Sequence, residues 1–88
     1  MLYHIITDEE CDALPQKFAH TALLAQKAGF DGVDIKCCHG YLLDEFLSAY
    51  NRSGKYGGSF ENRTRLYYNC IDAVKNAVDE DMIVTTRL

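Results

Sequence analysis

An α/β fold with parallel strands is the architecture this 88-residue sequence predicts, on three observations. Helix-like and strand-like stretches alternate along the chain. The strand-like stretches are rich in β-branched residues. Glycine or acidic turn signals separate each longer helix from the strand that follows it. The order is helix, strand, short helix, helix, strand. Two parallel strands alone cannot bury both faces of a sheet. No internal repeat supplies more. The expectation is therefore a single unit over residues 1–88 that is a slice of a larger α/β fold or that assembles with copies of itself.

Each element has its own signal. "TDEE" at Thr7–Glu10 is a capping-box pattern with acids in the first turn. Leu14, Phe18, Ala22, Ala25 and Ala28 follow at helical spacing, and Gly29 suits the position just past the helix end. Pro15 interrupts this pattern and predicts a kink or a split into two pieces. "GVDIK" alternates apolar and polar residues and predicts a strand over about 32–36. Leu42 to Tyr50 reads as a short helix. "NRSGKYGGS" is a loop by composition. Ser59 is placed to cap the next helix, with Glu61 in its first turn. Its expected apolar stripe is Phe60, Tyr67, Cys70, Ile71, Val74, Ala77 and Val78. "MIVTTRL" predicts a second strand over about 82–87.

Bulk properties exclude several classes. A net charge of −4 with no basic block leaves no electrostatic footprint for nucleic acid. No apolar run is long enough to span a bilayer. The first ten residues lack a basic n-region and an apolar h-region, so a cytoplasmic setting is expected. Hydrophobic residues at 48% and charged residues at 25% are ordinary for a folded domain and unlike a disordered chain. In that setting the four cysteines are expected as free thiols. Their spacing contains no CxxC, so a structural zinc site has little support.

Function in parallel α/β folds gathers at the carboxyl ends of the strands. The first expected strand ends in "KCCHGY" and the second in Arg87. One rim would then carry Lys36, His39, Tyr41 and Arg87. Lysine and arginine donate to anionic or carbonyl oxygens. Histidine and tyrosine hold or transfer protons. A competing reading takes Cys37, Cys38, His39 and Cys70 as a small metal- or thiol-binding module. Too few soft ligands converge there to favour metal, and the two adjacent cysteines read as small fillers of a tight turn. His4 and His20 read as exposed residues without a role.

"AGFDGVDIKCCHGYLLDEFLS" followed by "YGGSFENRTR" resembles the NADH:flavin oxidoreductase family, also called the Old Yellow Enzyme family. The resemblance runs from about Thr7 to Leu88. It implies a (β/α)8 barrel, of which this chain would be a central slice carrying the fourth and fifth strands. It implies FMN as cofactor and NADH or NADPH as electron donor. It further implies hydride transfer from reduced flavin to an activated alkene, such as an α,β-unsaturated carbonyl. By the same resemblance His39 is the second member of the pair that holds the substrate carbonyl. Tyr41 is the proton donor to the α-carbon, and Arg87 is the arginine against the flavin pyrimidine edge. Lys36 stands where the family has a histidine, as a substrate or flavin contact with a full positive charge. The loop after Ser48 is shorter than the family's, and the phosphate-binding strands of the barrel are absent. The isolated chain is therefore expected to lack activity, whether as a slice of an enzyme or as a non-catalytic remnant.

Overall fold

The computed structural model describes residues 3–88. In chain order they form α1 (Asp8–Lys27), β1 (Gly32–Lys36), α2 (Leu42–Leu47), α3 (Phe60–Ala77) and β2 (Ile83–Arg87). The expected alternation and both strands are present. The strands pair in parallel, in register from Gly32 against Ile83 to Lys36 against Arg87.

α1 begins with the reciprocal capping box. The Thr7 hydroxyl accepts from the Glu10 amide at 3.1 Å, and the Glu10 carboxylate accepts from the Thr7 amide at 2.9 Å. The expected split at Pro15 does not occur: α1 runs through it as one helix. Proline forfeits one backbone bond there, but its ring is buried with the inner face of the helix. Gly29 then takes φ 93°, and its amide donates to Gln26 O at 3.0 Å. A left-handed residue of this kind ends the helix without a Cβ penalty.

α2 stops at Leu47, short of the expected Tyr50. The Ser48 amide bonds Glu45 O and the Ala49 amide bonds Phe46 O, which tightens the last turn to a 3₁₀ pattern. Arg63 Nη1 takes the Leu47 carbonyl at 2.6 Å.

α3 is capped by Ser59, whose hydroxyl accepts from the Asn62 amide at 3.2 Å. Its stripe departs from expectation at one end. Phe60 is 67% exposed, whereas Leu66 is fully buried. Phe60 has the phase of Tyr67 but sits in the first turn, ahead of the buried stretch that starts at Thr64. Tyr67, Cys70 and Val74 are buried as expected, and Ile71, Ala77 and Val78 are half-buried.

The loop between α2 and α3 is tied down on both sides. Arg52 donates to Ile6 O and Asp8 Oδ1, and Lys55 pairs with Asp12 at 2.8 Å. Asn62 Nδ2 donates to Gly57 O at 2.9 Å, and Arg63 Nε to Gly58 O at 3.1 Å. Glu61 is exposed in the first turn of α3, and it is Asn62 that holds the loop. Replacing Arg63 with Lys removes the fork that joins Gly58 to Leu47. Urea melts should show a loss of about 1.5–3 kcal/mol, the scale of a hydrogen bond to a charged donor. A change within about 0.5 kcal/mol would refute the tie.

Tyr56 is buried in this loop, and its phenol donates to Asp12 Oδ1 at 2.5 Å. Burial, and then the bond to the Asp12 carboxylate, push the phenol above its ordinary range. Because the folded pKa is raised, the stability this proton contributes is intact below the ordinary value of about 10. It is lost as pH rises further. An ultraviolet titration of the six tyrosines should show one that ionises late, together with unfolding. Tyr56→Phe should abolish that late step.

The core lies on one face of the two-stranded sheet. Ile35 and Cys37 pack there with Cys11 and Ala22 of α1, Phe46 of α2 and Leu66, Cys70 and Val74 of α3. Thr86 turns to the same side, where its hydroxyl meets Tyr67 Oη at 2.7 Å. Asp34, Lys36, Thr85 and Arg87 point the other way by strand alternation. Among the described residues no element covers that second face.

Candidate active site

The rim above the uncovered face is assembled by the parallel register. Lys36 and Arg87 are direct partners across the ladder, so their backbones run about 5 Å apart. Beyond Lys36 the chain stays tethered: the Cys37 amide donates to Arg87 O at 2.8 Å. The turn is then sharp. His39 has φ 63° and Gly40 φ 67°; His39 is the one non-glycine residue with positive φ among the described residues. A non-glycine residue held left-handed marks a place where the surroundings over-determine the backbone. Here the clamp is Asp44, whose Oδ2 accepts from the Gly40 amide at 2.8 Å.

Tyr41 follows as the residue that caps α2, and it is 64% exposed. Its ring carries the Lys36 ammonium 3.4 Å from the centroid. Lys36 and Tyr41 are thus in direct contact, and Arg87 stands beside Lys36. His39 is exposed on the intervening turn, and among the described residues it makes no hydrogen bond or ion pair with the other three.

Arg87 Nε donates to Asp34 Oδ2 at 2.7 Å, and Thr85 Oγ1 donates to Asp34 Oδ1 at 2.9 Å. The Arg87 bond holds the Asp34 carboxyl below its usual range. Asp34 engages only Nε, so the two Nη groups remain at the open face. Sequence reasoning did not assign Asp34 and Thr85. The signal was there: Asp34 lies two residues before Lys36, and Thr85 two before Arg87, which puts all four on one strand face.

The cysteines behave as fillers. Cys11, Cys37 and Cys70 are buried, and Cys38 is half-buried. Burial pushes Cys37 up to about 11 and Cys70 up to about 12, so both are protonated at neutral pH. Among the described residues no group of three or more His, Cys, Asp or Glu is placed to hold a metal ion. His4 is exposed and bonds Glu10 at 2.7 Å, and His20 is exposed on α1.

A groove runs along the free edge of β1, walled by Phe18, Ala22 and Ala25 of α1 and by Val33, with Lys36 and Tyr41 at its upper end. It is mostly apolar. Together with the bare sheet face it gives the slice open sides where neighbouring elements of a larger fold would pack.

A parallel pair with helices on one face and chemistry at its carboxyl ends is the local pattern of a barrel enzyme. Comparison with solved structures agrees. The chain superposes on 2-naphthoyl-CoA reductase with a TM-score of 0.90 at 31% identity, over 97% of this chain and 13% of that one. Histamine dehydrogenase from Rhizobium sp. 4-9 gives 0.87 at 30% identity, again over 13% of its chain. The fold here is a partial (β/α)8 barrel.

The chain belongs to the NADH:flavin oxidoreductase / NADH oxidase family, whose model matches residues 1–88. It is 42% identical over 85 residues to a cinnamate reductase of Clostridium sporogenes. It is 40% identical over 84 residues to an NADH oxidase of Thermoanaerobacter brockii. It is 41% identical over 81 residues to an NADPH dehydrogenase of Bacillus velezensis. The matches cover 90% or more of this chain and 13%, 13% and 24% of those relatives. The expected cofactor, FMN, and donor, NADH or NADPH, agree with the family and with these names.

Proposed function

We propose that this chain is the central slice of an FMN-dependent NAD(P)H oxidoreductase that reduces activated alkenes, in a cytoplasmic setting and with a small-molecule substrate. The observation that carries the reading is the rim: Lys36, His39, Tyr41 and Arg87 leave the carboxyl ends of two paired parallel strands, within a family match that spans the chain.

The residues fit a flavin in one respect. Arg87 is fixed through Nε and offers its Nη donors to the open face, as an electron-rich ring edge requires. FMN, when bound, supplies the hydride that NADH or NADPH delivers to it. The chain's own groups do the rest. Lys36 and His39 donate to the carbonyl oxygen of the substrate. That draws electron density from the β-carbon and stabilises the negative charge that develops on oxygen. The Tyr41 phenol gives its proton to the α-carbon. Charge-assisted donors preset at the oxygen are worth more than donors recruited from water.

The uncovered sheet face and the edge groove need the remaining barrel elements, or a second copy of this chain, to cover them. The test uses the complete polypeptide in which this segment is continued. It should purify with a flavin absorption band, bleach anaerobically with NADH or NADPH, and recover colour on addition of 2-cyclohexenone. The absence of a flavin band, or no recovery with any enone, would sink the reading. The 88-residue chain alone should bind no FMN and should sediment with a mass that rises with concentration. Stoichiometric zinc with thiols protected from reagent would favour the metal- or thiol-binding module instead, and four freely reacting thiols with no metal would end it.

A further inference from the structure

The charged groups on the rim are not all paired. Arg87 is matched by Asp34, and Asp44 is occupied with the Gly40 amide. Lys36 forms no ion pair among the described residues, and its ammonium rests on the Tyr41 ring at 3.4 Å. A ring face holds a cation in place but does not satisfy its N–H donors. The rim therefore presents one positioned ammonium that has no ion-pair partner among the described residues.

We infer that Lys36 makes this a site for alkenes conjugated to a carboxylate, the ammonium receiving the carboxylate group. This deepens the reading above and rests on it. The position of Lys36 decides the class of anion. The ammonium touches the ring of the side chain whose phenol protonates the α-carbon. An anion it receives therefore lies next to that carbon, where a conjugated carboxylate sits. A phosphate on a remote tail would lie too far away.

The chemistry also calls for the charge. A carboxylate is a weak activator, because hydride must reach a carbon conjugated to a group that is already negative. An ammonium on the carboxylate oxygens offsets that charge, most of all in the transition state. The step balances: the β-carbon gains a hydride, the α-carbon gains the Tyr41 proton, the π bond is lost, and the carboxylate is retained.

The test compares crotonate with methyl crotonate, in which the anionic oxygen is masked by a methyl group. In the complete FMN-loaded protein, each is titrated against the oxidised flavin spectrum, a binding readout independent of turnover. Crotonate should bind about tenfold more tightly or better than its ester, the scale of one charge-assisted contact. Lys36→Met should erase that preference and Lys36→Arg should keep most of it. Equal affinities for the two probes in the unsubstituted protein would overturn the inference. So would a preference that survives in Lys36→Met. If the protein reduces neutral enones but shows no carboxylate preference, the general reading holds and this one fails. If it holds no flavin, both fail.

Discussion

Tyr41→Phe, in the complete FMN-loaded protein, is expected to slow alkene reduction by about 100- to 10,000-fold, the usual yield of a positioned general acid. The substitution removes one oxygen and keeps the ring. The Lys36 ammonium at 3.4 Å retains the face it rests on, so the rim should keep its shape. The loss should accordingly fall on the rate of the alkene half-reaction and not on substrate affinity. Reduction of the flavin by NADH or NADPH needs no proton from this phenol and should be unaffected. Stopped-flow traces of the two half-reactions separate these outcomes. Equal slowing of both, or a rate within threefold of the unsubstituted protein, would remove Tyr41 from the proton-donor role.

Leu66→Ala is expected to cost about 2–5 kcal/mol of folding stability. Leu66 is fully buried in the cluster that joins α1, the sheet and α3. A small unit has few other side chains to make up such a loss, and total stabilities are only about 5–15 kcal/mol. Phe60→Ala, six residues earlier on the same helix, removes a larger side chain that is 67% exposed, and it should cost less than about 0.5 kcal/mol. Urea melts of both variants test the face assignment of α3. A larger loss for Phe60→Ala than for Leu66→Ala would mean that the helix packs with another face.

The contrast between these two residues shows where reading a sequence stops. Helical periodicity places Phe60 and Tyr67 on one side of α3 correctly. It cannot say that the neighbouring elements reach only as far as Thr64. Pro15 shows a related limit. Its local cost is a lost backbone bond, which argues for a break. Burial of its ring on the packed face of α1 outweighs that cost, and only packing reveals it. At the site, Lys36, His39, Tyr41 and Arg87 were legible as residues at strand ends. Their relations were not. The bond from Arg87 to Asp34 depends on a register between segments some fifty positions apart. The stacking of Lys36 on Tyr41 depends on the left-handed turn at His39 and Gly40.

The sequence by itself determined the element order, both strands, the caps at Thr7 and Ser59, and the family. Each of these rests on local chemistry: β-branched runs, hydroxyls ahead of helices, and glycines where φ is positive. Tertiary structure alone decided which rim charge is spent. Asp34 could have faced either side of its strand's neighbours, and Lys36 could have found an acid. The parallel register brings Asp34 to Arg87 and leaves the lysine with an aromatic face. A charge balance is a property of distances between strands, and no single stretch of the chain encodes it.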